Sequence, residues 1–376
     1  MRVLVVWDYP TAYVTSVAGR LGAAVGCQYY ELLTAFLDDQ FGWPAAVTRR
    51  LGALGADVEF HFWNAEFLTN AWVADNVTTR GAQMSQDDAL REHARRFRPD
   101  VAWIGGGPAA VNRTLAAIRS LTRKVVLWIA SPQPRKLPLH KVDLVLTSHS
   151  WFVDHYSSRG LRVQKLLPAF EERILDGLRD AQRDLPLTFV GGLTRAHRVR
   201  LRALKQLAGQ TPLDLWGTCL TPPSDSGGRA QLRRLWFRSS VSTRDLISRF
   251  RGPAWGMDLY RVLARSVLTF NSHIDIAHRQ AGNMRMFEAT GCGAALLTES
   301  FENLHELFDP ETEVIGYRSE RELVEKAKFY VERPELALAI GQAGQRRALR
   351  SHNTVVRAEE LMSQFGTVLT RTGGRR

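Results

Sequence analysis

The sequence predicts an α/β protein of two doubly wound domains, each a parallel sheet with helices on both faces. Three observations carry this. Short apolar runs rich in Val, Leu, Ile and Trp alternate with longer segments of helical period, the pattern of repeated strand–helix units. The alternation runs through residues 2–170, stops at a charged stretch ending in Pro186, and restarts at 187. Both halves share one local plan, a strand, a glycine turn and a helix, with Gly105-Gly106-Gly107 in the first and Gly191-Gly192 in the second. A chain of 376 residues is also long for one core.

In the first domain, expected over 1–170, RVLVVW (2–7) is a continuous apolar strand ending in Asp8-Tyr9-Pro10. Residues 26–54 read as one long helix, with Tyr29, Leu32, Leu33, Phe36 and Leu37 at helical spacing and Gly55 as its stop. Residues 57–63 alternate as a strand, and 64–84 are a polar loop or short helices. Ser85 with Asp87 and Asp88 opens a capped helix over 85–97. Strands come next at 99–107, 125–131 and 142–149, with helices at 112–121 and 151–160, and 163–170 leads out. Residues 171–186 are the linker.

The second domain is expected over 187–355. It has strands at 187–192 and 212–217, a helix from about 195 to 207, a basic insertion at 221–253 and a helix at 256–266. The stretch 266–299 reads strand, loop, helix, strand. Helix, strand and helix occupy 301–308, 311–317 and 320–334, and further helices run to about 370. Residues 356–376, a terminal helix and basic tail, are expected to cross back to the first domain.

Net charge is +12, with a pI near 10. That fits an acidic partner, whether a phosphorylated substrate, an anionic membrane surface or nucleic acid, and equally a generically basic surface. Cys27, Cys219 and Cys292 are sparse and form no C-x-x-C, which fits a reducing compartment. No leader pattern and no apolar run near the ~20 residues that span a bilayer is seen. The expected location is the cytoplasm, with peripheral membrane contact left open.

Polar residues concentrate in 266–299: His273, Asp275, His278, Arg279, Asn283, Arg285 and Glu288. Ligands of open α/β sheets sit off the carboxyl ends of strands, where helix N-termini suit phosphate. Arg195, His197 and Arg198 directly succeed Gly191-Gly192 and suit a pyrophosphate. Either glycine turn also reads as a tight turn alone. No G-x-G-x-x-G and no G-K-[ST] occurs.

Arg285 and Glu288 share one helix face. With Met284, Met286, Phe287 and Cys292 around them, the carboxylate is expected to be buried and in need of partners, which a ribose diol could supply. A surface ion pair is the alternative. His273, Asp275 and His278 match no standard zinc spacing, nor do His140, His149 and His155. There is no D-x-D, so no metal-diphosphate site is expected, and no G-x-S-x-G nucleophile elbow occurs either. Residues 229–251 carry seven arginines beside Trp236, Phe237 and Phe250. They fit a solvated face, a contact with anionic lipid, or nucleic acid.

One pattern is more specific: Asn283, Arg285, Phe287-Glu288, Gly293, Leu296-Leu297-Thr298, Glu322-Leu323, Tyr330, Ile340, Ala343-Gly344, Arg347, Leu349 and His352. It resembles the C-terminal domain of group 1 glycosyltransferases, in the spore-maturation-protein-like branch, over roughly 185–360. The first half resembles that branch only in outline, through 148–170.

The resemblance implies a GT-B architecture, two Rossmann-like domains facing across a cleft. The nucleotide-sugar donor would lie in the second domain and the acceptor, a glycan, lipid-linked carrier or small metabolite, in the first. Neither cofactor nor metal is implied. Glu288 matches the second glutamate of the family's Glu-x7-Glu pair, the one that holds the ribose, and Gln280 stands where the first would be. The expected donor residues are Gly191, Gly192, Arg195, Arg198, Trp216, Gly217, His278, Gln280, Asn283, Arg285 and Glu288, with Trp216-Gly217 near the base. An inverting reaction would need a base in the first domain. Asp8 is the best-placed carboxylate and His149 the second choice. Two other readings stand beside this one: a non-catalytic nucleotide-sugar-binding or scaffold protein, permitted by Gln280, and a nucleic-acid binder, motivated by charge and the least supported.

Overall fold

The computed structural model describes residues 1–21, 28–77, 84–131, 133, 137–193, 197–218, 241–275 and 278–370. The chain forms two compact units, one of residues 1–167 with 354–376 and one of residues 168–353.

In the first unit six strands form one parallel sheet: β1 (Arg2–Trp7), β2 (Asp57–Phe62), β3 (Val101–Gly105), β4 (Lys124–Trp128), β5 (Leu144–Thr147) and β6 (Val163–Lys165). Their order is β2-β1-β3-β4-β5-β6. Val3 to Val6 and Val101 to Ile104 are almost wholly buried, because helices cover both faces of the sheet. That is why these strands read as unbroken apolar runs. The order reverses between β1 and β3, and a crevice opens at such a point off the carboxyl ends. Asp8 and Gly106 end those two strands.

The helices are α1 (Thr11–Leu21), α2 (Tyr29–Asp38), α3 (Trp43–Ala53), α4 (Glu66–Asn76), α5 (Gln86–Phe97), α6 (Pro108–Ile118) and α7 (Ser150–Ser157). The single helix expected over 26–54 is two helices. The chain turns between them through left-handed Gln40 (φ 56°) and Gly42 (φ 77°). Arg49 holds the corner, donating to Asp38 Oδ1 at 3.0 Å, Gln40 Oε1 at 3.0 Å and the Leu37 carbonyl at 3.3 Å.

A buried histidine pair joins β2 to α5. His61 Nδ1 lies 3.5 Å from His93 Nδ1, and His93 Nε2 lies 3.6 Å from Glu59 Oε2. Burial, with His93 adding to it, pushes the His61 pKa down to about 3. Its unfolded value is about 6.5, so the unfolded chain binds a proton below that pH while the folded chain stays neutral. Stability is therefore whole above pH 6.5 and is lost as pH falls towards 3. From pH 7 to pH 5 the loss is about 2 kcal/mol. Denaturant titrations at the two pH values measure it, and His61→Phe is expected to flatten the difference.

The second unit holds β7 (Leu185–Val190), β8 (Leu213–Trp216), β9 (Phe250–Gly252), β10 (Ser266–Phe270), β11 (Ala295–Glu299) and β12 (Ile315–Tyr317), all parallel, in the order β12-β11-β10-β7-β8-β9. Its helices are α8 (Arg198–Ala208), α9 (Val241–Ser248), α10 (Gly256–Arg265), α11 (Met284–Gly291), α12 (Leu304–Leu307), α13 (Glu320–Glu332) and α14 (Pro334–Ser351). The last helix, α15 (Thr354–Thr370), packs on α3 of the first unit. In this sheet the reversal falls between β7 and β10, so the crevice lies between Gly191 and the segment after Phe270. Most of the arginine-rich stretch, 219–240, lies outside the described residues. No helix among the described residues is long and apolar enough to cross a membrane.

Candidate donor site

The carboxyl ends of β7, β8 and β10 bring Gly191, Gly192, Trp216, Gly217, Asn283, Arg285 and Glu288 to one end of the second sheet. The Gly191 N–H donates to the Trp216 carbonyl at 3.0 Å and the Gly217 N–H to the Gly252 carbonyl at 2.9 Å, so the turns after β7, β8 and β9 are tied together. A Cβ on Gly217 would lie 1.9 Å from the Gly191 carbonyl oxygen, a backbone atom that cannot step aside. Gly217→Ala is expected to part these turns at a cost of about 3 kcal/mol, as strain at a backbone contact does. Loss of Tm would show it, and an unchanged Tm would mean that the turn yields freely.

Helix α11 starts at the crevice. Asn283 caps it by accepting the Met286 N–H at 3.3 Å, and its amide donates to Asn271 Oδ1 at 2.9 Å. The N–H groups of Met284 and Arg285 have no intrahelical partner, as at every helix start. Arg285 Nε donates to the Val190 carbonyl at 2.9 Å, which carries the guanidinium to the end of β7. Its Nη1 donates to Glu288 Oε2 at 2.5 Å. Glu288 is 2 % exposed, and its other oxygen accepts from Tyr260 Oη at 3.4 Å. Burial raises the Glu288 pKa, and Arg285 and Tyr260 oppose that rise. The expected burial is thus found, with Arg285 and Tyr260 as the partners. Each oxygen keeps a lone pair beyond these bonds, which a ribose hydroxyl could use.

The arginines after β7 divide differently from expectation. Arg195 lies outside the described residues. The Arg198 side chain is exposed. The first N–H groups of α8 are taken by Asp275, whose carboxylate accepts from Arg198 N at 2.9 Å and Val199 N at 3.3 Å. The start of α8 is therefore capped by protein. The buried cation is Arg200, which donates to the Gly192 carbonyl at 2.7 Å and to the Ser272 carbonyl at 2.5 Å. Burial lowers its pKa to about 10, which leaves it charged at neutral pH, with Glu299 and Asp275 supporting the charge.

His278 and Arg279 both adopt left-handed backbone (φ 52° and 55°), and both side chains are exposed. Gln280 is half-buried. Asn303 grips the next residue from below: its Oδ1 accepts the Ala281 N–H at 2.8 Å and its Nδ2 donates to the Ala281 carbonyl at 2.9 Å. Glu299 ends β11 as a buried acceptor for Ser272 Oγ at 2.7 Å and for the His273 N–H at 3.1 Å. Burial alone would raise its pKa, but the bonds from His273 and Ser272 hold it below the usual glutamate value. Arg200, Glu299 and Asn303 were not among the expected site residues. Glu299 and Asn303 carry no spacing signal, whereas Arg200 stood in a run of cations whose buried member only the fold reveals. Among the described residues no three or more His, Cys, Asp or Glu side chains cluster as a metal site would need.

In the first unit, Asp8 Oδ1 accepts the Gly107 N–H at 2.9 Å. A Cβ on Gly106 (φ 132°) would lie 1.4 Å from that oxygen, so this contact demands glycine. Asn64 fixes the next peptide, accepting the Tyr9 N–H at 3.2 Å and donating to the Tyr9 carbonyl at 2.6 Å. Burial raises the Asp8 pKa, and the Gly107 bond lowers it in part. His149 is only 4 % exposed at the end of β5. Two strands stand between β1 and β5, which separates the two residues by about 14 Å at ordinary strand spacing. The structure does not bring Asp8 and His149 together.

Two doubly wound parallel sheets, each with its polar residues gathered at a switch point, define a GT-B glycosyltransferase fold. Residues 195–363 match the model of a family described as glycosyl transferase-like. Solved structures agree over nearly the whole chain. Anabaena HepE in complex with UDP superposes with a TM-score of 0.59 at 12% identity, covering 98% of this chain and 100% of that one. Sucrose-phosphate synthase from Thermosynechococcus elongatus gives 0.60 at 10% identity, covering 99% and 100%. A glycosyltransferase from Rickettsia africae gives 0.56 at 9% identity, covering 99% of each. No curated protein matches by sequence.

Proposed function

We propose that the chain transfers a glycosyl group from a nucleotide-sugar to an acceptor hydroxyl, as a member of the spore-maturation-protein-like branch of group 1 glycosyltransferases. The observation that supports this most is Arg285 at the start of α11, beside two unpaired helix N–H groups, within the segment that matches the family. A departing nucleoside diphosphate gains negative charge as the bond to the anomeric carbon breaks. Arg285 and those N–H groups would meet that charge, with Arg195 and Arg198 as further candidates from the sequence, so the reaction runs without metal. Glu288 orients the ribose through its remaining lone pairs. Asp8 accepts the proton of the attacking hydroxyl, which makes the reaction inverting.

HepE is described in complex with UDP-glucose, so UDP-sugars are the first donors to test. A thermal-shift series with UDP, GDP, dTDP and their sugars, repeated with EDTA, tests the reading. A bound nucleotide is expected to raise Tm by mass action. No shift with any nucleoside diphosphate at millimolar concentration would overturn it. The reading also places the enzyme in the cytoplasm, with the arginine-rich stretch 229–251 against the inner face of the membrane and a glycan or lipid-linked acceptor. Co-flotation with anionic but not neutral vesicles checks that part. Gln280 favours a second reading, a nucleotide-sugar binder without turnover; donor binding with neither hydrolysis nor transfer would select it.

A further inference from the structure

We infer that His273 is a positioning residue for donor binding: locked by Glu299 in one tautomer, it offers its other ring nitrogen to the Gly282 N–H and so fixes the start of α11. The inference rests on the reading of that helix start as the diphosphate site.

His273 is 3 % exposed, three residues beyond Phe270 at the end of β10. Its Nδ1 lies 2.9 Å from Glu299 Oε2, and Gly282 N lies 3.3 Å from its Nε2. A backbone N–H can only donate, so Nε2 carries no proton. The ring proton is then on Nδ1, where the carboxylate receives it. Glu299 is suited to this, since it is already the acceptor for the His273 N–H and for Ser272.

The bond matters because Gly282 leads directly into the helix. Gly282 has φ 136°, a conformation open to glycine and not to other residues, and its neighbour is the cap Asn283. Asn303 pins Ala281 on the other side through both its peptide groups. Two successive residues ahead of the helix are thereby held from the ends of β10 and β11, and their placement sets where the Met284 and Arg285 N–H groups point. A ring with its proton on Nε2 would oppose two donors at Gly282 and release the loop. Such a buried Glu–His pair is more than packing requires, whereas a helix start that must meet a ligand requires orientation.

UDP affinity and Tm of the full chain, measured on wild type, His273→Gln and His273→Asn, test this. A glutamine carboxamide reaches the Nε2 position and can present an oxygen to Gly282. An asparagine reaches only the Nδ1 position and keeps the Glu299 contact alone. His273→Gln is expected to hold UDP affinity within about threefold, and His273→Asn to weaken it by about tenfold or more, at similar Tm. Equal affinity in wild type and His273→Asn, or rescue by Asn and not by Gln, would overturn the inference. Should both variants unfold, ¹⁵N spectra of the wild-type ring decide: a proton on Nδ1 supports it, and a proton on Nε2 ends it. Wild type that binds no UDP or other nucleoside diphosphate sinks the donor-site reading instead, and the ring spectra still decide the geometry.

Discussion

Replacing Arg285 by alanine is expected to cost both stability and donor binding, and the two losses can be separated. Glu288 is buried, and Arg285 Nη1 is its strong partner. Removing one member of a buried ion pair leaves the other uncompensated and costs about 3–5 kcal/mol. In a unit of this size each kcal/mol lowers Tm by about 2–4 °C, so the variant is expected to melt well below wild type. Loss of a charge-assisted bond to phosphate would weaken UDP by about 10- to 100-fold besides. The double variant Arg285→Leu with Glu288→Leu removes both charges and restores most of the Tm, because apolar residues of like volume replace such pairs without penalty. Its UDP affinity stays low. A double variant that binds UDP like wild type would remove both residues from the donor site, and Arg285→Ala with an unchanged Tm would undo the pairing argument.

The same pair shows how far the sequence could be read. Three residues apart, Arg285 and Glu288 share a helix face, and the apolar neighbours bury Glu288 while Arg285 stays half-buried. What spacing could not decide was whether the carboxylate faces a ligand or its own arginine. The parallel sheets were legible because strands covered on both faces have no polar side to show. The corner at Gln40 was not, since a non-glycine residue in the left-handed region looks like any other helical position. Glu299 was hidden for a different reason. A glutamate closing the apolar run ALLT carries no spacing signal, and only the packing of His273, Ser272 and Tyr317 around it makes it an interior acceptor. Arg198 and Arg200 were indistinguishable as charges. Helix α8 turns one to water and the other under the Gly192 carbonyl.

Asp8→Asn is expected to lower turnover by about 10²–10⁴-fold, the usual effect of removing a proton acceptor, with little change in Tm or in UDP affinity. The substitution keeps shape. The asparagine carbonyl can still accept the Gly107 N–H that Asp8 Oδ1 accepts at 2.9 Å, so the turn above Gly106 is retained. What disappears is the ability to take a proton. Burial lifts the Asp8 pKa above its ordinary value of 3.8, which makes the carboxylate a stronger base than a solvated one. The base works only when ionised, so kcat/KM falls as pH drops through that raised pKa, and this acid limb is absent in Asp8→Asn. The anomeric configuration of the product gives an independent check. A proton acceptor on the acceptor hydroxyl belongs to a single displacement, which inverts the anomeric centre. Inversion together with the lost acid limb would establish Asp8 as the base. A retained configuration with unchanged Asp8→Asn turnover would instead leave Asp8 as the anchor of the Gly106 turn and move the chemistry to the donor side.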